Sequence, residues 1–329
     1  MTVDSLLVYV GLDLVGDGLM KLPFLRALRA NWPGARICWC AGKGPSAFSG
    51  PLAPLVAGLV DETIDDAGFG SRWSDVLRRP LAGRRFDLVL DTQHRVHTTL
   101  AVRRVRHGRF VSAAAGFLFS DARPAGRGRP RALSAQLMQL VEVAGGDPGR
   151  ATQPLALPAD ARAAAASLLP AGPAYAGFAP GAGNPAKRWP VERHVEVARA
   201  LAGVATPVFV LGPDEGDLVE ACRAVPGAML PLQEAAARGM PTGPALTIAL
   251  AQRIAAAVAS DSGGGHMLAA GDCALVSLFG PTDPAKFAPA ARDLSILRAQ
   301  DFGGATMEAI PVEPVRAALR GALERRRTG

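Results

Sequence analysis

The strongest constraint on the fold is the regular alternation of short apolar runs with amphipathic segments along the 329 residues. Apolar runs at residues 6–10, 36–40 and 86–90 fit strands that are buried on both faces. Further segments fit strands at 59–64 and 110–114 and helices at 19–30, 73–81 and 132–144. Strands and helices that alternate in this way predict a parallel sheet covered by helices on both faces, which is an α/β fold.

A second round of the same alternation follows a segment rich in glycine and proline at residues 145–158. Its predicted strands and helices lie at 175–179, 191–201, 207–211, 218–224, 246–257, 266–270, 274–279 and 312–325. Because a chain of this length exceeds what one core accommodates, we predict two domains, residues 1–155 and 156–329. The last helix, about residues 312–326, is a candidate to pack back on the first domain.

The positive net charge of +7 and the pI near 9.8 predict an anionic partner. Nucleic acid is disfavoured, since the arginines are spread out and no stacking aromatic residues interleave with them. Phosphorylated small molecules and an anionic membrane surface both fit. Two basic stretches, residues 103–106 and 325–327, could touch lipid headgroups, but a solvated face with cations near a helix end is the favoured interpretation.

The sequence also predicts where the protein resides. No segment reaches the roughly 20 apolar residues of a membrane span, and the first residues lack the features of a signal peptide. We therefore expect a cytoplasmic protein, with peripheral contact at the cytoplasmic face of the inner membrane as an extension of that expectation. Four cysteines suggest reduced thiols, and Cys38 and Cys40 fit a buried strand face better than a metal pair.

The loop after the first strand is the first candidate site, because ligands of parallel sheets lie beyond the carboxyl ends of the strands. Gly16 and Gly18 flank Asp17 and would let a ligand approach the backbone closely. Asp17 is then a candidate functional carboxylate near a helix start. The alternative is that Asp17 simply caps that helix.

The loop at residues 180–190 is the second candidate. It contains Gly181 and Gly183 and carries Lys187 and Arg188 before Pro190, which we expect at the start of the next helix. A long glycine loop with two cations suits a diphosphate, whereas a surface turn with solvated cations is the alternative.

A third loop, Asp261-Ser262-Gly263-Gly264-Gly265-His266, precedes a short helix. Successive glycine amides at a helix start form a nest for phosphate oxygens. Asp261 would repel phosphate, so it is expected to accept from a ribose hydroxyl or to hold the loop. His266 either reaches the diphosphate or packs under the helix. Thr282 and Asp283, after the next strand, fit helix caps.

Metal-binding motifs do not emerge from the sequence. There is no zinc spacing, no P-loop and no D-x-D motif at a strand end. We therefore predict no metal and no cofactor, and we expect cations and backbone dipoles to meet the charge of a diphosphate.

Four motifs in order resemble the heptosyltransferase-type glycosyltransferases, glycosyltransferase family 9. They are Leu14-Val15-Gly16-Asp17 ahead of Leu22-Pro23, residues 86–91 with Gln93, residues 180–182 with Lys187-x-Trp189-Pro190, and residues 261–270 leading to 279–282. The resemblance implies a GT-B fold, in which two Rossmann-like doubly wound domains face each other across a cleft. It also implies inverting, metal-independent transfer of a sugar, with ADP-heptose or a related nucleotide sugar as donor and a lipid-linked or core oligosaccharide of lipopolysaccharide, or a related surface glycan, as acceptor.

Site roles follow from the resemblance position by position. Asp17 corresponds to the general base that takes the proton of the acceptor hydroxyl, and Lys187 to the cation that neutralises the departing diphosphate. The implied donor and nucleotide contacts are Gly181, Gly183, Arg188, Gly212, Asp214, Glu215, Asp261, Ser262, Gly263, Gly264 and His266. The implied acceptor-side residues are Gly16, Gly18, Lys21, Asp91 and Gln93.

The chain departs from the family pattern at two places. Met20-Lys21 stands where a histidine often precedes the Leu-Pro pair, and residues 226–244 match poorly. Donor sugar and acceptor are therefore left open. Two alternatives remain: a GT-B epimerase or hydrolase that acts on the nucleotide sugar alone, and an inactive nucleotide-binding paralogue that acts as a scaffold.

Overall fold

The computed structural model describes residues 2–12, 14–126, 128–150 and 155–328. The chain divides into two compact units, Met1–Pro154 and Leu155–Gly329, one residue from the boundary expected from the sequence. Each unit contains one five-stranded parallel sheet, so the predicted α/β class is confirmed.

The first sheet forms from the apolar runs that the periodicity marks as strands. Its strands are Ser5–Val10 (β1), Arg36–Ala41 (β2), Glu62–Ile64 (β3), Arg85–Asp91 (β4) and Arg106–Ser112 (β5). They lie in the order β3-β2-β1-β4-β5. The interior of β1 is buried throughout, as expected for a strand covered on both faces.

The helices of the first unit are Val15–Asn31 (α1), Ala53–Val56 (α2), Val96–Val102 (α3) and Leu133–Val143 (α4), with 3-10 turns at Trp73–Leu77, Ala114–Phe117 and Pro148–Arg150. Helix α1 begins four residues earlier than predicted. The helix predicted at 73–81 is wrong beyond Leu77, because Arg78 is extended and Pro80 disfavours helical backbone before it. Helix α3 was not predicted, since its threonines and valines favour strands.

The second sheet has strands Tyr175–Ala179 (β6), Thr206–Phe209 (β7), Ala256–Ser260 (β8), Ala274–Phe279 (β9) and Leu294–Arg298 (β10), in the order β7-β6-β8-β9-β10. The helix predicted at 246–257 is too long, because a continuous apolar run does not mark where a buried helix gives way to a buried strand. Strand β10 lies at the edge and was not predicted.

The helices of the second unit are Ala159–Leu168 (α5), Val191–Arg199 (α6), Val219–Arg223 (α7), Pro231–Ala237 (α8), Pro244–Ala251 (α9), Gly263–Ala270 (α10), Pro284–Phe287 (α11) and Val312–Thr328 (α12). Short 3-10 turns lie at Pro185–Lys187, Gly216–Leu218, Ala299–Phe302 and Met307–Ala309. Helix α12 packs through Val315, Leu319 and Leu323 on β8, β9 and α6. Its predicted contact with the first unit stays a prediction.

Two general expectations can be compared with the described residues. None of the helices in the described ranges is long and apolar enough to cross a bilayer. All four cysteines are buried and unbridged, which agrees with the reduced thiols predicted for them and with the buried strand face predicted for Cys38 and Cys40. Burial raises the pKa of each thiol to about 12, so the thiols stay protonated at neutral pH.

Candidate active site

The predicted site residues of each unit gather where the strand order of its sheet reverses. In the first sheet the reversal lies between β1 and β4, and Asp17 and Gln93 follow these two strands. In the second sheet it lies between β6 and β8, which lead into Lys187 and Asp261. Such reversals leave a crevice beyond the carboxyl ends of the strands, which is the usual ligand position in open parallel sheets.

Asp17 lies in the first turn of α1, half-buried. The N-cap is Leu14, whose carbonyl accepts from the Gly18 amide at 2.8 Å, so the alternative that Asp17 caps the helix is wrong. A carboxylate in this position is favoured by the positive end of the helix dipole. The geometry therefore keeps an ionisable group at the switch point of the first sheet.

The neighbours of Asp17 have different surroundings. A Cβ at Gly18 would lie 2.5 Å from Cδ1 of Leu52, so this glycine lets α1 approach the segment before α2. Around Gly16 no described atom lies within 4 Å of that position. Lys21 is buried, with Nζ 5.9 Å from the ring centroid of Trp39. The acceptor-side roles of Gly16, Gly18 and Lys21 stay predictions.

Asp91 ends β4 and is fully buried. Its carboxylate accepts from the hydroxyls of Thr99 (2.6 Å) and Ser112 (2.9 Å) and from the Gln93 amide (2.9 Å). Burial raises its pKa to about 6. The Gln93 side chain lies against Gly11, where a Cβ would meet its Oε1 at 2.7 Å. Since Asp91 has no exposed surface, it can influence a bound acceptor only through the loop that carries Gln93.

The loop at 180–190 is anchored at both ends. The amide of Trp189 donates to Oγ of Ser260 at 3.2 Å, and its indole donates to the Ile310 carbonyl at 3.0 Å. Asn184 accepts from the Ala186 amide at 3.0 Å and so opens the 3-10 turn that ends at Lys187. These bonds hold the loop in one conformation beside β8.

Lys187 forms the central contact of the second unit. Its ammonium lies 2.8 Å from Oδ2 of Asp261, which is almost completely buried, and Thr282 donates to the same oxygen at 2.6 Å. Of the two roles considered for Asp261, holding the loop is the one these bonds support. An ammonium has three donors, so one bond to Asp261 leaves Lys187 able to bind an anion as well.

Arg188 and Glu215 both have hydrogen-bond partners in loops of the second unit. Arg188 donates to the Ala182 carbonyl at 3.0 Å and pairs with Asp217 at 3.1 Å. Glu215 accepts from the Gly212 amide at 2.8 Å, and burial raises its pKa. A Cβ on Gly181 would lie 1.7 Å from Oε1 of Glu215, so only glycine fits there unless Glu215 moves. Asp214 is exposed and Gly183 open, and their donor roles stay predictions.

Helix α10 begins with the three glycines that were predicted to form an anion nest. Gly264 packs closely on β6, where a Cβ would lie 3.1 Å from that of Ala179. The first amides of a helix have no acceptor within it, and the dipole adds positive potential. Oγ of Ser262 is buried without a hydrogen-bond partner among the described residues. His266 is half-buried in the first turn of the helix.

Three residues near Lys187 were not recognised as site residues from the sequence. Thr282 was expected to be a cap, but Asp283 caps α11 and Thr282 bonds Asp261. Nζ of Lys286 and of Lys187 lie 4.8 and 5.9 Å from the ring centroid of Phe287. The sequence did contain a signal for Thr282, because it is a polar residue in the loop after β9, and β9 is the strand next to β8. In the described part of the chain, no three His, Cys, Asp or Glu side chains are grouped as a metal site would require.

Comparison with known proteins gives a consistent result. Among solved structures, the glycosyl transferase family 9 protein from Veillonella parvula DSM 2008 is 20% identical, with a TM-score of 0.74 over 99% of both chains. E. coli ADP-heptose lps heptosyltransferase II is 21% identical, with a TM-score of 0.66 over 98% of this chain and 99% of that one. E. coli heptosyltransferase WaaC, solved with ADP, is 18% identical, with a TM-score of 0.68 over 97% and 99%.

These similarities show the fold, which is GT-B, as predicted. No curated protein sequence matches the chain. The model of glycosyltransferase family 9 (heptosyltransferase) matches residues 75–309, well over half of the sequence, and so covers most of the motifs described above. The chain therefore belongs to glycosyltransferase family 9 and is a glycosyltransferase.

Proposed function

We propose that this glycosyltransferase transfers a heptose from ADP-heptose, with inversion and without a metal ion, to a lipopolysaccharide core or a related surface glycan. The family supports the reaction class. The donor is supported by the solved relative WaaC, one structure of which contains ADP and another ADP-2-deoxy-2-fluoro heptose. The observation that carries the proposal is the placement of Asp17 at one switch point and of the Lys187–Asp261 pair at the other.

In the proposed reaction the acceptor hydroxyl oxygen attacks the anomeric carbon of the donor as the bond from that carbon to the diphosphate breaks. Asp17 takes the proton of the hydroxyl, and ADP leaves with the bonding electron pair. A single displacement of this kind inverts the anomeric configuration. The charge that builds on the diphosphate is the largest electrostatic requirement of the step.

Several groups of the second unit can stabilise the negative charge of the departing diphosphate. Lys187 keeps donors beyond its bond to Asp261, and the first amides of α10 point out of the helix start. The buried Ser262 hydroxyl, without a partner among the described residues, offers a further donor beside those amides. Together these groups support a diphosphate site that works by cations and amides.

The test combines transfer and binding. Mass spectrometry should detect one added heptose on a heptose-deficient lipopolysaccharide acceptor, with ADP released in equal amount and activity kept in EDTA. Asp17→Asn should lower the rate by about 10²–10⁴-fold, as expected for loss of a general base. Its melting temperature should still rise with ADP, because ligand binding stabilises the folded state by mass action.

Asp160→Asn is the matched control, since it also removes a carboxylate from the first turn of a helix. Unchanged turnover in Asp17→Asn would remove the proposed base, and loss of activity in EDTA would overturn the metal-free mechanism. Conversion of the donor without any acceptor would indicate an epimerase or hydrolase, whereas ADP binding without any turnover would indicate an inactive scaffold. A thermal-shift series with ADP-, UDP- and GDP-sugars tests the donor base.

A further inference from the structure

Arginine and apolar side chains are interleaved on an exposed surface of the first unit. This basic–apolar surface consists of residues 72–79, which include the 3-10 turn Trp73–Leu77, and of residues 95–96 at the start of α3. The side chains of Trp73, Leu77 and Val96 are 66%, 85% and 37% exposed. Each has an exposed arginine as its neighbour in the chain, namely Arg72, Arg78 and Arg95, and Arg79 follows Arg78.

Hydrogen bonds hold these two segments in place. Asp75 accepts from the amides of Gly70, Ser71 and Arg72 at 2.9, 3.1 and 2.9 Å. Thr98 donates to the Gly70 carbonyl at 2.6 Å, which ties the turn to α3. The Trp73 ring lies 5.4 Å from that of His97. These bonds fix the backbone of the turn, so Trp73 and Leu77 are held in their exposed positions.

The charge of the basic–apolar surface has one sign. Asp75 is the one acidic residue in its two segments, and it is buried with its carboxylate directed at backbone amides. The arginines at 72, 78, 79 and 95 are exposed. The surface therefore combines several cations with aliphatic and aromatic groups that remain in contact with water.

We propose that the basic–apolar surface binds an anionic lipid bilayer, with Trp73 and Leu77 in the headgroup boundary and the arginines on the phosphates. Arginine attraction to an anionic leaflet and burial of apolar side chains at the interface act together in peripheral attachment. The amphipathic ring of tryptophan suits this depth. This binding is independent of the proposed base and donor, since lipid attachment needs neither.

The position of the basic–apolar surface links membrane attachment to the proposed reaction. Helix α3 follows β4, so His97 and Trp73 lie towards the carboxyl edge of the first sheet, the edge at which α1 begins with Asp17 in its first turn. If the acceptor is lipid-linked, as the proposed function has it, attachment through this surface holds the unit that carries Asp17 at the membrane that holds the acceptor.

Other occupants fit less well. A second copy of the surface would bring like charges together, and a polynucleotide would leave the aliphatic Leu77 and Val96 without partners beside a single aromatic ring. Three arginines of the basic stretches noted in the sequence are bonded to groups outside the basic–apolar surface. Arg325 bonds Asp293 and Arg327 bonds the Val204 carbonyl, while Arg103 bonds Asp121.

The experiment measures partition of the full chain onto phosphatidylcholine vesicles with and without phosphatidylglycerol, by flotation. Binding should require phosphatidylglycerol and weaken with salt. Trp73→Ser with Leu77→Ser should lower the partition coefficient at least about tenfold. Arg78→Ala with Arg79→Ala should lower it by about fivefold per arginine. Ile296→Ser and the pair Arg162→Ala with Arg223→Ala are the controls, because they remove an exposed aliphatic side chain and two exposed arginines from the second unit.

Trp73 also reports its own position. Trp39 and Trp189 are buried and Trp32 is half-buried, so the assignment depends on the variant: a blue shift of the emission on vesicles that is lost in Trp73→Phe, with partition kept, would place the Trp73 indole at the interface. Equal loss in the control variants, unchanged partition of Trp73→Ser with Leu77→Ser, or displacement of the protein from vesicles by RNA at equal charge would each overturn the proposal. These outcomes leave transfer to a soluble acceptor untouched, so they are distinct from failure of the proposed function.

Discussion

The two units use the same kind of sheet but differ in how they hold charge at the switch point. In the second unit the charged groups are paired with one another: Lys187 with Asp261, and Arg188 with Asp217. In the first unit the carboxylate at the corresponding place, Asp91, is fully buried among two hydroxyls and an amide, and no cation among the described residues forms an ion pair with it. Asp17 lies in the first turn of α1, the helix that follows β1, and β1 is the neighbour of β4.

The difference fits the role that we propose for each site. A diphosphate carries its own negative charge, so a cation held in place by a neighbouring carboxylate is already oriented to meet it without a large entropy cost. A proton acceptor needs no such cation, since pairing Asp17 with one would lower its basicity. The comparison therefore predicts that Lys187 matters through its charge, whereas Asp91 matters through the structure that it supports.

Of Lys187 and Asp91, Lys187 is expected to have the larger effect on the reaction. Lys187→Met should lower kcat by about 10²–10³-fold, because it removes a cation from the developing negative charge. Stability should fall only by about 1 kcal/mol, since the Lys187 side chain is 28% exposed and its pair with Asp261 is partly screened. Steady-state kinetics and urea unfolding measure the two effects separately.

A second variant sharpens this result. Lys187→Met combined with Asp261→Asn should recover the lost stability but not the rate, because no unpaired carboxylate is then left buried. Arg188→Met is the matched control, since its guanidinium is held by Ala182 and Asp217, and it should cost less than about tenfold. An equal loss in both single variants would mean that the two cations share the diphosphate, and the contrast drawn here would fail.

Sequence periodicity predicts both sheets but not their strand orders. Buried runs such as Leu6 to Val10 must be strands of a parallel sheet, since they are apolar on both faces. Nothing in such a run indicates that β1 lies next to β4 while β6 lies next to β8. That choice depends on how connections of different length cross the sheet, which local pattern does not encode.

The site could be predicted where it depends on local loop chemistry, and less well where it depends on packing. The glycines before His266 and the cations after Gly183 predict a phosphate-type site from local sequence, and this site stays a prediction. By contrast, the bond from Thr282 to Asp261 joins loops after different strands, and sequence spacing does not reveal it. The buried state of Asp91 likewise depends on Thr99 and Ser112, which lie on α3 and β5.

Buried titratable groups extend the comparison to stability. His194 in the second unit is fully buried against Trp189 and Phe178, and neither ring nitrogen has a hydrogen-bond partner in the described part of the chain. Burial lowers its pKa from 6.5 to about 3. The unfolded chain therefore takes up this proton first, and the stability that the neutral ring contributes is present above pH 6.5 and lost as the pH falls towards 3.

His194→Leu should remove this acid sensitivity. The wild type should lose at most about 1.4 kcal/mol per pH unit through His194 between pH 6.5 and about 3, whereas the variant should lose none of it. At neutral pH the substitution should be close to neutral, since an apolar side chain replaces an imidazole without partners. Urea unfolding across this range measures the slope, with His194→Phe as a second variant that keeps an aromatic ring. An unchanged slope in both would show that the ring is solvated.

Asp91 is expected to have a smaller effect on stability than His194, and its pH dependence is of opposite sign. Its pKa is raised from 3.8 to about 6 by burial, so the folded chain binds the proton more tightly than the unfolded one. Its contribution is greatest below pH 3.8 and is lost, at about 1.4 kcal/mol per pH unit at most, as the pH rises through this window to about 6. Asp91→Asn should abolish this loss, because its side chain does not ionise.

Thr99→Val separates the buried charge from the fold around it. It removes a hydroxyl that donates to the Asp91 carboxylate, so the pKa of Asp91 should rise further and the loss of stability should extend to higher pH. Carboxyl titration by NMR and unfolding across pH 4 to 7 measure both changes. Asp91→Asn and His194→Leu should change the slope of the unfolding free energy against pH in opposite directions. A change in the same direction would mean that Asp91 is solvated or paired with a cation. The buried groups of the two units would then not differ in their response to pH.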